Sequence, residues 1–132
     1  IFGYTILNDV SARNVQTAHK QWYFGKSLDG FTPIGPCIVT ADAFADYPPR
    51  LGIRSFVNGE KRQDSNTALQ IFDIDHVVAE LSQGMTLKAG TIIATGTPAG
   101  VGMGMDPPQF LKPGDVVRCE IEGIGTLTNP VE

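Results

Sequence analysis

Two stretches with one plan constrain the fold most. Leu87-Lys88-Ala89-Gly90-Thr91 runs into Ile92-Ile93-Ala94-Thr95, and Leu111-Lys112-Pro113-Gly114-Asp115 runs into Val116-Val117-Arg118-Cys119-Glu120-Ile121. In each, a glycine stands where a tight turn wants a positive φ and β-branched residues follow, so each reads as a turn that launches a strand. Asn58-Gly59 adds a hairpin, because both residues tolerate the backbone of a type I′ turn between a strand over 51–57 and a polar return strand over 60–64. Two matching turns are too few for a solenoid. They fit one mainly β domain of mixed α/β class, with curled sheets and one main helix. That helix is expected from a cap at Asp73 to about Gln83, with Ile74, Val77, Val78 and Leu81 as its apolar stripe and Gly84 ending it.

The chain opens on an apolar run, residues 1–7, that reads as a buried strand and ends in Asn8-Asp9-Val10-Ser11-Ala12-Arg13-Asn14-Val15-Gln16. Ser11 is placed to cap a short helical turn over about 12–21, with Arg13, Gln16 and Lys20 on one face. Residues 22–27 read as an ordered loop and 37–40 as a short strand. With Ile1 inside a strand and no initiator Met, the chain reads as the C-terminal portion of a longer protein.

Composition removes several functions. A length of 132 residues allows a real core, and a formal charge of −4 argues against nucleic acid, whose partners show a basic face. No apolar run approaches the ~20 residues of a membrane span. Cys37 and Cys119 have no CxxC spacing and no histidine cluster beside them, and are expected as two buried free thiols of a cytoplasmic protein. His19 and His76 lack a second ligand at metal spacing. Glu80, Glu120 and Glu122 read as surface acids, the last two on one strand face.

The glycine-rich loop Thr95-Gly96-Thr97-Pro98-Ala99-Gly100-Val101-Gly102-Met103-Gly104 follows a strand, as phosphate loops do. It has no Gly-Lys-Ser/Thr ending and no G-x-G-x-x-G spacing, and Asp106-Pro107-Pro108 opposes a following helix. Two readings stay open: a structural turn, or a loop whose backbone N–H groups and Thr97 hydroxyl approach an anion. Lys26 stands among Trp22, Tyr23, Phe24 and Phe31. It is either a solvated lysine lying over aromatics or a poorly hydrated cation in need of a carboxylate or an anionic ligand. Without a G-x-S-x-G elbow, serine hydrolase chemistry has no foothold. Asp9, Arg13, Gln16, Lys26 and Thr97 are the remaining candidates, a set suited to an oxyacid held on a hard divalent cation.

The runs GYTILNDVSARNVQ, then Trp22 and FGKSLDGFTPIGPCIVT, then IATGTPAGVG, in that order, resemble the fumarylacetoacetate hydrolase family over essentially the whole chain. The resemblance implies a mostly β fold with curled sheets, usually a homodimer, and enzymes that act on 2-oxo acids and acylpyruvates by C–C hydrolysis, decarboxylation, hydration or isomerisation. It implies a divalent cation, Mg²⁺ or else Mn²⁺ or Ca²⁺, on three carboxylates. Position by position, Asp9 matches the third metal carboxylate. Lys26 matches the catalytic lysine beside metal and substrate. Arg13 and Gln16 match the polar pair near the site, and Thr97 matches a hydroxyl that binds substrate carboxylate or carbonyl. Such a substrate can chelate a hard cation acting as Lewis acid, and the enolate charge that builds would fall to the cation and Lys26.

Two departures shape the expectation. The other two metal carboxylates, a Glu-x-Glu pair, and the His and Glu that activate water belong to a segment upstream of this strand. The 132 residues alone are therefore expected to bind metal weakly and to fall short of a competent enzyme. Asn14 stands where the family commonly has Asp, which bears on a contact around Arg13 and not on a metal ligand. C–C hydrolysis of an acylpyruvate is the leading expectation. Isomerisation or decarboxylation of a 2-oxo-diene dioate is the nearest rival, and a non-catalytic carboxylate-binding domain is the alternative of another class.

Overall fold

The computed structural model describes residues 1–18 and 20–132, so His19 lies outside it. Among the described residues six strands and two α-helices follow one another as β1 (Gly3–Leu7), α1 (Arg13–Ala18), β2 (Ile34–Thr40), β3 (Gly52–Val57), β4 (Glu60–Asn66), α2 (Ile74–Ser82), β5 (Val116–Ile121) and β6 (Gly125–Pro130). The mixed, strand-rich class expected from the turns is the class found. β1 and β2 form an antiparallel pair, and the other four strands form an antiparallel sheet in the order β4-β3-β5-β6.

Local chemistry explains the hairpin. Asn58 (φ 51°) and Gly59 (φ 83°) turn β3 into β4. Asn58 also donates from Nδ2 to Asp115 at 2.8 Å and accepts from the Val116 N–H at 2.9 Å, pinning the turn to the start of β5. β3 and β5 pair directly, Ile53 opposite Ile121 and Val57 opposite Val117. Residues 67–115 therefore leave the sheet after β4 and return beside the strand before it.

Strand alternation separates the two faces of this sheet. Ile53, Ser55, Val57, Val117, Cys119, Ile121 and Leu127 share one face by register. Cys119 sits within it, and burial pushes its thiol up. On the other face Arg54 pairs with Asp64 at 3.1 Å, Arg118 with Glu120 at 3.3 Å, and the Arg118 guanidinium lies 4.2 Å over the Phe56 ring. These pairs are solvated and screened, so they contribute little and mark a wet face and not a core. The apolar face meets the β1–β2 pair, where Cys37 Sγ lies 3.6 Å from the Ile124 carbonyl. The Tyr4 and Phe44 rings meet edge to face at 5.6 Å. Ile6, Val117 and Ile124 are the buried apolar residues there.

Helix α2 begins where expected, with the Asp73 side chain accepting from the His76 N–H at 2.8 Å. It carries no buried residue, and Leu69, Ile71 and Phe72 before it are exposed. The whole chain exposes 9141 Å², against about 6,800 Å² for a compact body of its 14.2 kDa. Among the described residues no helix is long and apolar enough to cross a membrane.

Three expectations change. Cys37, expected buried, is exposed, because β2 belongs to a two-stranded pair that leaves it open to solvent. Residues 92–95 form no strand despite their β-branched sequence, because no neighbouring strand offers them a ladder. Helix α1 is shorter than read: the chain has left it by Lys20, whose φ is 51°.

Candidate functional site

Asp9 owes its position to a reversal after β1. Asn8 donates to the Pro33 carbonyl at 3.0 Å, and the Val10 N–H returns to the Asn8 carbonyl at 2.9 Å, a three-residue turn with Asp9 at its apex. Ala12 then donates to the Gly25 carbonyl at 2.8 Å, docking the start of α1 onto the 3-10 turn Phe24–Lys26. Gly25 is needed for that approach: a Cβ there would lie 2.8 Å from Gln16 N and Cβ and 2.9 Å from its Cα. The next residue, Lys26, is carried to the apex, where its Nζ binds the Asp9 carboxylate and, at 3.1 Å, the Ser11 hydroxyl. Trp22 and Tyr23 stay mostly exposed, so the cation found its partner in a carboxylate and not over those rings.

Ser11 was expected as a helix cap. Its hydroxyl instead accepts from Lys26 and contacts the Asp9 carbonyl at 3.3 Å, because the 3-10 turn brings a stronger donor to it. Gln16, 3% exposed, accepts from Arg13 Nη1 at 3.0 Å through its Oε1. Asn14, in the first turn of α1, is exposed. Asp9, Ser11, Arg13, Gln16 and Lys26 thus form one continuous group around the junction of β1, α1 and the 3-10 turn.

Thr97 is held elsewhere, at the β4 edge. Its Oγ1 accepts from Gln63 Nε2 at 2.8 Å, and the same nitrogen donates to the Pro98 carbonyl at 2.8 Å. The glycine-rich loop presses on this strand: a Cβ on Gly100 (φ 106°) would lie 2.1 Å from the Arg62 carbonyl oxygen. The Arg62 guanidinium binds Gln109 and the Met105 sulfur, tying down the far end of the loop. Ser11 and Gln63 were therefore missed as site residues. The first was masked by its capping position and the second by a return strand that reads only as polar.

Asp9 is a single hard oxygen donor with a lysine already on it. Among the described residues no group of three or more His, Cys, Asp or Glu side chains is placed to hold a metal ion. A divalent cation of this kind takes six or more oxygens. The described residues by themselves do not fit one.

A cleft of about 660 Å³ at the β5–β6 turn is lined by Arg54, Glu120, Glu122 and Gly123, among others. Its acids are engaged, Glu120 with Arg118 and Glu122 with the Gly52 N–H at 3.1 Å, and it contains none of the candidate residues.

A family model described as Fumarylacetoacetate (FAA) hydrolase C-terminal matches residues 1–132. Oxaloacetate tautomerase YisK of Bacillus subtilis is 50% identical over 131 residues, which cover 99% of this chain and 43% of that protein. A fumarylacetoacetate hydrolase structure from psychrophilic Exiguobacterium antarcticum is 55% identical with a TM-score of 0.95, covering 99% of this chain and 47% of that one. The 5-carboxymethyl-2-hydroxymuconate delta-isomerase structure from Mycobacterium smegmatis is 48% identical with a TM-score of 0.85, covering 98% and 48%. The chain thus spans about half the length of the proteins it matches.

Proposed function

The chain belongs to the fumarylacetoacetate hydrolase family, and from that premise we propose that it is part of an enzyme that shifts a proton within a 2-oxo acid, as a keto–enol tautomerase or double-bond isomerase. The observation that carries this reading is the contact of Lys26 with Asp9 and Ser11. Moving a proton from C3 to the C2 oxygen builds enolate charge on that oxygen, next to a carboxylate. An ammonium held in place before the reaction stabilises such charge without reorganising. Asp9 and Ser11 orient the cation, while Arg13 and Gln16 brace the helix beside it. Thr97 supplies a hydroxyl for the substrate carboxylate. The names of the tautomerase and isomerase relatives support the same step.

C–C hydrolysis of an acylpyruvate is the second reading, favoured by the hydrolase whose structure this chain matches at a TM-score of 0.95. It shares the enolate and adds an activated water. A Mg²⁺ ion, or Mn²⁺ or Ca²⁺, would take Asp9 as one ligand and draw the others from outside these residues. A homodimer is proposed to cover part of the exposed apolar surface. A cytoplasmic setting is proposed on the two free thiols.

The test is oxaloacetate tautomerisation by the full-length protein, followed by the ultraviolet absorbance of the enol with Mg²⁺ or Mn²⁺ added. Lys26→Met is expected to lower kcat/KM by about 10²–10³-fold. Wild-type protein that does not accelerate the interconversion, or a Lys26→Met variant as fast as wild type, would sink the proposal. Acylpyruvate cleavage at a higher kcat/KM than tautomerisation would replace it with the second reading.

A further inference from the structure

The register between β3 and β4 slips by one residue: Ser55 faces Gln63, and Phe56 faces Lys61. Arg62 is left without a partner on β3, a β-bulge. Bulges re-aim the side chains beside them, and this one presents the Arg62 carbonyl to Gly100 and the Gln63 amide to Thr97 and Pro98.

The chemistry of that amide is fully determined. The Pro98 carbonyl can only accept, so the end of Gln63 that lies 2.8 Å from it is the NH₂. The other end, Oε1, can only accept, and the Ser55 hydroxyl donates to it at 2.8 Å. Since Nε2 has no lone pair to offer, Thr97 must accept in its own 2.8 Å contact. The Thr97 proton is therefore turned away from Gln63, and among the described residues no acceptor is bonded to it.

We propose that Gln63 is a positioning residue that keeps the Thr97 proton free for an incoming group, so that the glycine-rich loop favours one that accepts, a carboxylate. This rests on the reading of a 2-oxo acid substrate, and deepens it by assigning the polarity of one contact. Ser55 acts a step further back by locking the amide.

Gln63→Glu reverses the polarity at nearly constant shape. The carboxylate cannot donate to Thr97 or Pro98, and it draws the Thr97 proton toward itself. In the full-length protein with oxaloacetate, Gln63→Glu and Thr97→Val are each expected to raise KM about tenfold, the loss of one hydrogen bond to a charged group. kcat should change far less. Gln63→Glu added to Thr97→Val should cost less than it does alone, because the hydroxyl it misdirects is gone and only the lost Pro98 contact remains. Thr97→Ser should keep the wild-type KM.

Additive losses, or a Gln63→Glu variant with wild-type KM, would overturn the inference while the tautomerase reading stands. If the wild type turns over no 2-oxo acid, that reading falls and the inference is judged by calorimetry with oxalate. Equal weakening by Gln63→Glu and Thr97→Val sustains it, and unchanged binding overturns it.

Discussion

Replacing Gly25 by Ala tests whether the approach of α1 to the 3-10 turn sets the position of Lys26. The added Cβ would meet Gln16 N and Cβ at 2.8 Å, whereas ordinary contact begins at 3.4 Å, so the two segments must part by about 0.6 Å. The obstructing atoms are mostly backbone of a helix and cannot swing aside. Overpacking of this kind costs about 1–3 kcal/mol, or roughly 2–4 °C of Tm per kcal/mol in a protein of the relatives' length. Lys26 is the next residue, so its Nζ leaves Asp9 and Ser11 as the turn moves. Misplacement approaching 1 Å lowers turnover by about 10²-fold. Gly30→Ala is the control: its φ of 78° strains an alanine, yet nothing lies within 4 Å of the new Cβ. It should lose about 1 kcal/mol of stability from backbone strain and keep turnover within about twofold. The assay is thermal melting beside oxaloacetate tautomerisation in the full-length protein. A Gly25→Ala variant with wild-type turnover, or a Gly30→Ala variant equally impaired in activity, would refute the argument.

Further outcomes follow from contacts outside the site. The Tyr47 hydroxyl donates to the Asp75 carboxylate, which with some burial pushes the phenol up to about 12 from 10.0. The fold therefore holds this proton more tightly than the unfolded chain does. The contribution is complete below pH 10 and is lost as pH rises through about 12. Tyr4, raised by burial and by Asp75, adds to the same fall. Tyr47→Phe should flatten the decline in urea midpoint over that window without abolishing it, and an unchanged slope would exclude the contact. Asn58→Ala removes two hydrogen bonds to the start of β5 and forces an alanine to φ 51°. It should lower stability by about 2 kcal/mol in urea unfolding. NMR titration should show the Asp115 carboxyl, held low chiefly by Asn58 and then by the Lys112 N–H, moving up toward its ordinary range.

What was legible in the sequence is what local chemistry determines. Asn58-Gly59 and the Asp73 cap could be read because each satisfies its own backbone within a few residues. The alternation of Ile53, Ser55 and Val57 gave a face but no partner, and the pairing with β5 spans sixty residues or more in sequence. Residues 92–95 show the converse: strand propensity without a neighbour makes no strand. At the site, Asp9 and Lys26 were recognisable by resemblance, but their contact depends on Gly25 docking against Gln16, which no spacing rule encodes. Ser11 and Gln63 were hidden for the same reason. Each acts through a group that the fold brings to it.

The excursion of residues 67–115 between two adjacent places on the sheet has an evolutionary consequence. Its first residue donates to the Leu51 carbonyl at 2.9 Å, and its last binds Asn58 at 2.8 Å, so the two ends are clamped at the residue before β3 and at the turn after it. Lengthening a loop already closed is cheap in entropy, about 0.6 kcal/mol for each doubling. Insertions and sequence drift there leave the ladder between β3 and β5 untouched. A lineage built on this plan can remodel the loop that holds Thr97 while inheriting the Asp9–Lys26 corner intact.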